Sequence, residues 1–309
     1  MRHALVTGAS GFLGRHLVPE LRSRGVQITT VGRTANVDGH HIALGPGPWH
    51  PSALAAIIEA EEPDTIFHLA GSSVGSSQEL DELNWGVATS LMQALSVRQS
   101  RPVFVCCGSA AEYGAAIVDG APVTEDVECR PLSAYGMSKL AQTRSALSFS
   151  EATGTPVLVA RIFNPIGAGM PTHLALADFA WQIASSSGPR GVLQCGNLDV
   201  YRDFVDIRDV ASMICGLAAN PLARGVINIC SGQAVGLRDL VHLLVKASGK
   251  EIDVETAPQR LRPGELQTVL GSTARIEKLA ITPPKTDYAA AVGRVWSDVK
   301  MRHATVLHA

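Results

Sequence analysis

The 309-residue sequence lacks the marks of several protein classes. No apolar run approaches the ~18 residues that a membrane-spanning helix needs, so no membrane attachment is expected. Neither sign of charge dominates: 26 Lys and Arg stand against 28 Asp and Glu, a formal net charge of −2. Nucleic-acid and anionic-lipid binding favour basic patches, and neither partner is expected. The six cysteines (Cys106, Cys107, Cys129, Cys195, Cys215 and Cys230) form no CxxC pair and no His/Cys ligand spacing, so no metal site is expected. Cys106 and Cys107 lie in an apolar run, where neighbours on a strand point to opposite faces and cannot readily bridge. Reduced thiols in a cytoplasmic protein follow. No apolar signal segment precedes the first strand pattern, which agrees with that compartment.

What is present is a regular alternation. Strand patterns occur at Ala4–Thr7, Gln27–Val31, His41–Leu44, Thr65–Leu69, Val103–Cys107, Val157–Ile162 and Gly225–Ile229, several nearly all apolar. Helix-like segments lie at Arg15–Arg24, Pro51–Glu61, Asn84–Gln99 and Ala134–Thr153. Continuous apolar strands alternating with helices predict an α/β fold with a doubly wound parallel sheet of the Rossmann type. After Ile162 the pattern changes to Gly- and Pro-rich loops with interspersed elements. The expected division is a dinucleotide-binding domain over 1–162, with 202–229 returning to it as a helix and strand. A smaller, discontinuous C-terminal substrate domain would take 163–201 and 230–309.

The first strand runs into Thr7-Gly8-Ala9-Ser10-Gly11-Phe12-Leu13-Gly14, then a helix. In such a turn Gly8 permits the tight bend, Gly11 the approach of a pyrophosphate, and Gly14 close helix–strand packing. The helix N-terminus presents free N–H groups to the phosphates. The second strand ends Val31-Gly32-Arg33, without the acid that pairs with an NAD ribose. Arg33 suits a 2′-phosphate, so NADP(H) is favoured over NAD(H); a solvated surface arginine is the competing reading. Leu69 and Ala70, in Phe67-His68-Leu69-Ala70-Gly71, are expected beside the cofactor, and His68 is read as a packed histidine without chemistry.

Ser109 follows the fifth strand, and Tyr135 and Lys139 stand four apart on a helix, sharing a face. Carbonyl reduction needs a positioned acid that gives a proton to the oxygen as hydride reaches the carbon. A free phenol titrates near 10, and an ammonium on the same helix face favours the phenolate; a drop of ~3 pH units takes ~4 kcal/mol of differential interaction. A Ser109 hydroxyl can orient the substrate oxygen. YxxxK alone occurs by chance in many helices; the glycine turn and the Gly-Ser strand end around it make chance a poor explanation.

Together Gly8/Gly11/Gly14, His68-Leu69-Ala70, Ser109, Tyr135/Lys139 and Arg161-Ile162-Phe163-Asn164-Pro165-Ile166-Gly167 resemble the extended short-chain dehydrogenases that act on nucleotide sugars, the NAD-dependent epimerase/dehydratase family. The resemblance covers nearly the whole chain. It implies Tyr135 as acid/base, Lys139 also on the nicotinamide ribose, Ser109 assisting proton transfer, and Ser10, Phe12, Leu13 and Ile162 near the cofactor. Asn164 would meet the substrate diphosphate, and a homodimer would form through the Asn84–Gln99 and Ala134–Thr153 helices. Gly45 and Pro46 stand where the family usually carries an acid for adenine, so that contact is not transferred. The family's 4,6-dehydratases carry Thr-Asp-Glu where this chain has Ser109-Ala110-Ala111. Without the two acids, dehydration is not expected. Glu112, one place late, is read as a solvated or ion-paired surface residue.

Gly196-Asn197-Leu198-Asp199-Val200-Tyr201-Arg202-Asp203-Phe204 and Leu261-Arg262-Pro263-Gly264-Glu265 complete the distinctive segments. Two arginines from separate segments can clamp a diphosphate. A mixed-charge helix start for Arg202 and a loop arginine for Arg262 are the plain alternatives. The two segments, with Glu265, resemble GDP-4-keto-6-deoxy-D-mannose reductases, which yield GDP-D-rhamnose. The expectation is NADPH-dependent reduction of a nucleotide-linked 4-keto-6-deoxyhexose in deoxysugar biosynthesis. A redox-neutral epimerase with bound NAD is the alternative. A non-catalytic NADP sensor ranks last, because the Tyr/Lys pair is kept.

Overall fold

A computed structural model describes residues 1–34, 39–98 and 100–307. Strands β1 (His3–Thr7), β2 (Gln27–Gly32), β3 (His40–Ala43), β4 (Thr65–His68), β5 (Val103–Ser109), β6 (Val157–Ile162) and β7 (Gly225–Ile229) form one sheet in the order β7-β6-β5-β4-β1-β2-β3. Every neighbouring pair is parallel. This is the doubly wound order read from the alternation, with the chain reversing direction between β1 and β4.

Period-two alternation explains why the strands are apolar throughout. Ala4 and Val6 of β1, Val105 of β5, and Leu158 and Ala160 of β6 enter one core, against the helices Gly14–Ser23 and Ile207–Ala219. Leu5, Phe104, Cys106, Val157 and Val159 enter the opposite core, against helices Pro51–Glu61, Val87–Ser96 and Ala134–Thr153. Both faces are covered, so neither can be polar.

The Ala134–Thr153 helix opens with Ser133 accepting the Gly136 N–H at 3.0 Å and closes at Gly154, whose φ of +70° suits glycine. The helix expected over Asn84–Gln99 starts earlier and ends at Ser96; Gln99 lies outside the described residues. Its true start is Ser77, because Ser76 and Glu79 form a capping box, and a π-helical turn at Asp81–Gly86 joins the two α-helical parts.

A third core collects helices Ala175–Ser185, Leu237–Ser248 and Tyr288–Leu307 with the strand Arg190–Cys195. That strand pairs in parallel with Glu251–Thr256. Strands Ala234–Gly236, Tyr201–Asp206, Thr268–Gly271 and Pro122–Val123 make a further sheet, with Asn164–Ile166 beside Tyr201–Asp206. One correction concerns the segment from Arg202 to Ile229. Only the Ile207–Ala219 helix and β7 return to the main sheet, while Tyr201–Asp206 is a strand of the second one. Its neighbours Phe204 and Val205 point into two different cores, so the strand ties them together. Arg202 accordingly lies on a strand and not at a helix start.

Candidate active site

A cleft of about 940 Å³ runs from the β1 turn, past the C-terminal ends of β4, β5 and β6, to the loops after Cys195 and Thr256. Parallel strands leave their connecting loops at that edge, which is where an open α/β sheet holds ligands.

At one end the glycine turn lines it. Gly8 has φ +72°, and a Cβ there would stand 2.5 Å from the Ala70 nitrogen; a Cβ on Gly14 would stand 2.3 Å from the Gly8 oxygen. These close approaches seat the helix Gly14–Ser23 against the strand ends. The backbone N–H groups of Phe12 and Leu13 donate to no protein acceptor among the described residues, and the helix's first turn carries no acid. Free donors without a competing carboxylate suit a dinucleotide pyrophosphate. Gly11, Phe12, Leu13, Gly14, Leu69 and Ile162 share this wall with Gly8. Ser10, Arg33 and Ala70 are not part of it. Ser10 is exposed, with its carbonyl accepting from Arg15, and Ala70 backs Gly8. Arg33 is exposed just beyond β2. His68 is fully buried: Nδ1 meets the Thr7 hydroxyl at 2.9 Å, the ring stacks on Phe104, and burial depresses its pKa to about 3.

In the middle stand Ser109, Tyr135 and Lys139. Lys139 is buried and donates to Gln142 Oε1 at 2.7 Å. Ser109 Oγ accepts the Ala111 N–H at 3.2 Å, which leaves its hydroxyl hydrogen for another acceptor. Cys107 also lines the cleft, with burial pushing its thiol up to about 11. Asn84, a residue the sequence reading used only as a helix start, is fully buried behind this group. It accepts the Ser72 N–H and donates to Ser72 O and Ser138 Oγ, fixing the loop after β4.

Glu112 corrects the surface reading. It is fully buried, accepts the Ser109 N–H at 2.7 Å, and is ion-paired with buried Arg161 at 2.8 Å. Arg161 also covers the Tyr113 ring at 4.4 Å. Ser-x-x-Glu spacing was a legible capping-box signal for this turn.

At the far end Asn164, Arg202, Arg262 and Glu265 line the same cleft. Asn164 donates to the Asp203 carbonyl at 2.9 Å. Arg202 donates to the Tyr201 and Gln267 carbonyls and, at 3.2 Å, to Glu265. Burial lowers its pKa, Glu265 opposes this, and nearby Arg262 lowers it further. The next residue, Asp203, is structural: its buried carboxylate accepts from Ser231, Gly232 and Gly271. Arg260, paired with Asp178, adds a third cleft arginine that its loop position did not announce. Among the described residues no cluster of His, Cys, Asp and Glu could hold a metal ion, and no helix is long and apolar enough to cross a membrane.

Comparison with known proteins finds similarity over nearly the whole chain. The GDP-6-deoxy-D-mannose reductase of Pseudomonas aeruginosa is 31% identical over 306 residues, covering 96% of this chain and 97% of that protein. The dTDP-6-deoxy-L-talose 4-dehydrogenase (NAD(P)(+)) of Kitasatospora kifunensis is 31% identical over 300 residues, covering 94% of each. A structure of RMD from Pseudomonas aeruginosa complexed with NADPH superposes with a TM-score of 0.80 at 30% identity, covering 98% of this chain and 100% of that one. The model of the NAD dependent epimerase/dehydratase family matches residues 4–230, and the chain belongs to that family.

Proposed function

We propose that the protein reduces the 4-keto group of a nucleotide-linked 4-keto-6-deoxyhexose with NADPH, converting GDP-4-keto-6-deoxy-D-mannose to GDP-D-rhamnose. The observation that carries this reading is one cleft whose lining includes the glycine turn, the Ser109/Tyr135/Lys139 group and the Arg202/Arg262 pair. A reduced nicotinamide, when bound, supplies the hydride.

The chain's own groups do the rest. Tyr135 gives its proton to the C4 oxygen, and the free hydrogen of Ser109 Oγ aligns that oxygen. Lys139, four residues on, supports the developing phenolate, and Gln142 holds its ammonium. Asn164, Arg202 and Arg262 take the diphosphate, with Glu265 steering Arg202. Ala110 and Ala111 supply no acid for eliminating water, so the sugar must arrive already in its 4-keto form.

NADPH is favoured by the exposed Arg33 and by the cofactor of the 30% identical structure. The GDP moiety is favoured by the segments around Arg202 and Arg262, and it accords with the GDP-sugar reductase among the relatives. We further propose a division at the boundaries read from the sequence, adjusted so that only 207–229 return to the main sheet. A homodimer through the 77–96 and Ala134–Thr153 helices completes the reading. The cytoplasm, where NADPH is kept reduced, is the compartment it implies.

The test is incubation with a panel of GDP- and dTDP-linked 4-keto-6-deoxy sugars and NADPH, with product NMR. NADPH consumption with a GDP-6-deoxyhexose product supports the proposal. Better kcat/KM on the dTDP sugar overturns the GDP assignment alone. Purification with stoichiometric NAD and epimerisation without net NADPH use overturns the reductase.

A further inference from the structure

We propose that Glu112 is a positioning residue for the reaction, setting the direction of the Ser109 hydroxyl through the backbone. The inference rests on the reading of Ser109 as the group that aligns the substrate oxygen.

Ser109 is the last residue of β5, and the Ala110–Glu112 turn that follows is a single 3₁₀ turn. So short a turn has little cooperative stability of its own. Besides its own Tyr113 N–H to Ala110 carbonyl bond of 3.1 Å, two side-chain bonds pin it: Ala111 N–H to Ser109 Oγ at 3.2 Å, and Ser109 N–H to Glu112 Oε1 at 2.7 Å. The first occupies a lone pair of the catalytic oxygen and so decides where its hydrogen points. The second holds the residue that carries that oxygen. The other carboxylate oxygen accepts Nε and Nη2 of Arg161 at 3.2 and 2.8 Å.

Two further observations single out this carboxylate. Gly108 lies beneath it, and a Cβ there would come 2.5 Å from Glu112 Oε1, so the strand gives up a side chain to make room. Arg161 sits opposite Gly108 on β6, and its Nη1 is buried with no hydrogen-bond partner among the described residues. A fully buried ion pair is a poor source of stability, since an apolar pair of similar volume often serves as well or better. A carboxylate in this place does what an apolar residue cannot, which is to accept the Ser109 N–H while still neutralising Arg161.

An amide has one acceptor oxygen where a carboxylate has two. Glu112→Gln must therefore release either Ser109 or Arg161. Two paired variants separate the functions, because both lack the ion pair. In Glu112→Gln with Arg161→Met, the amide oxygen is free to take the Ser109 N–H. In Glu112→Met with Arg161→Met, nothing takes it.

Expected are a kcat within about threefold of wild type for the first pair, and a loss of at least about tenfold for the second, as for a misdirected hydrogen-bond donor. NADPH affinity should stay unchanged in both. With Ser109→Ala added, the difference between the pairs should shrink to within about twofold, because the residues act as one unit. Equal kcat in the two pairs, or a difference that survives Ser109→Ala, overturns the proposal. If neither pair folds, Glu112→Gln alone is compared in the wild-type and Ser109→Ala backgrounds under the same criterion.

The rates are taken on whichever nucleotide sugar the wild type turns over. A wild type inactive on 4-keto sugars refutes the proposed function and leaves this inference standing. A readout without substrate is also available: exchange of the Ser109 amide hydrogen. It should stay protected in wild type and the first pair and be at least about tenfold faster in the second. Equal exchange in the two pairs counts against the proposal.

Discussion

Arg202→Ala should weaken nucleotide-sugar binding strongly and leave the cofactor site untouched. The size follows from donor counting. A guanidinium has five N–H donors. Nη1 donates to the Tyr201 and Gln267 carbonyls and Nη2 to Glu265, three bonds in all, so two donors are left for a ligand. A hydrogen bond to a charged group contributes about 1.5 kcal/mol at the low end of its range, so two give about 3 kcal/mol. That corresponds to a rise in KM of roughly 150-fold, since every 1.4 kcal/mol is a factor of ten. The same substitution also strips Glu265 of its partner in a half-buried place, and its uncompensated charge adds repulsion toward a diphosphate. Arg202→Ala with Glu265→Gln should therefore bind better than Arg202→Ala alone. Steady-state kinetics over a sugar-nucleotide series, with NADPH binding followed by fluorescence, provides both numbers. A KM within threefold of wild type, or an NADPH affinity that falls in parallel, would refute the placement of Arg202 on the diphosphate.

Four other outcomes are expected. Tyr135→Phe should fold, bind NADPH and lose most of kcat, because the proton donor goes while the ring stays; wild-type kcat would remove Tyr135 from the chemistry. Arg33→Ala should raise KM for NADPH far more than for NADH, and equal rises would make Arg33 a bystander. Light scattering at micromolar concentration should give a dimer mass, and a monomer would end that proposal. His68 has its pKa depressed by burial to about 3, so the folded state resists protonation that the unfolded chain accepts. Its contribution to stability is present above about pH 6.5 and is lost as pH falls toward 3, by up to about 1.4 kcal/mol per pH unit. Denaturant unfolding of His68→Asn should show a shallower loss over that window, and an unchanged slope would mean that His68 does not titrate as argued.

Much of the molecule was legible from local rules. Each of the seven strands of the main sheet lies within two residues of the place read from its apolar run, because a strand buried on both faces has almost no polar positions to confuse the pattern. The glycine turn and the Tyr135/Lys139 spacing were equally open to reading, since backbone geometry and helical period fix what such residues can do. The start of the helix at Ser77 and the cap at Ser109 carried a spacing signal that the apolar pattern overshadowed.

Other features arise only when distant segments meet. Glu112 looks like a surface acid along the chain, and it is buried because Arg161, 49 residues away, comes to lie beside it on β6 while Gly108 leaves it space. Arg202 opens a mixed-charge run, with Asp203, Asp206, Arg208 and Asp209 following, that suggests a helix start. It belongs instead to a strand whose partners, Ala234–Gly236 and Thr268–Gly271, come from far along the sequence. The sequence by itself determined the period of the main-sheet strands and the spacing of each motif, which depend on neighbours a few residues apart. The fold alone decided which charges are buried, which carboxylate faces which guanidinium, and that three separate motifs open on one cleft, because those depend on contacts that no local pattern encodes.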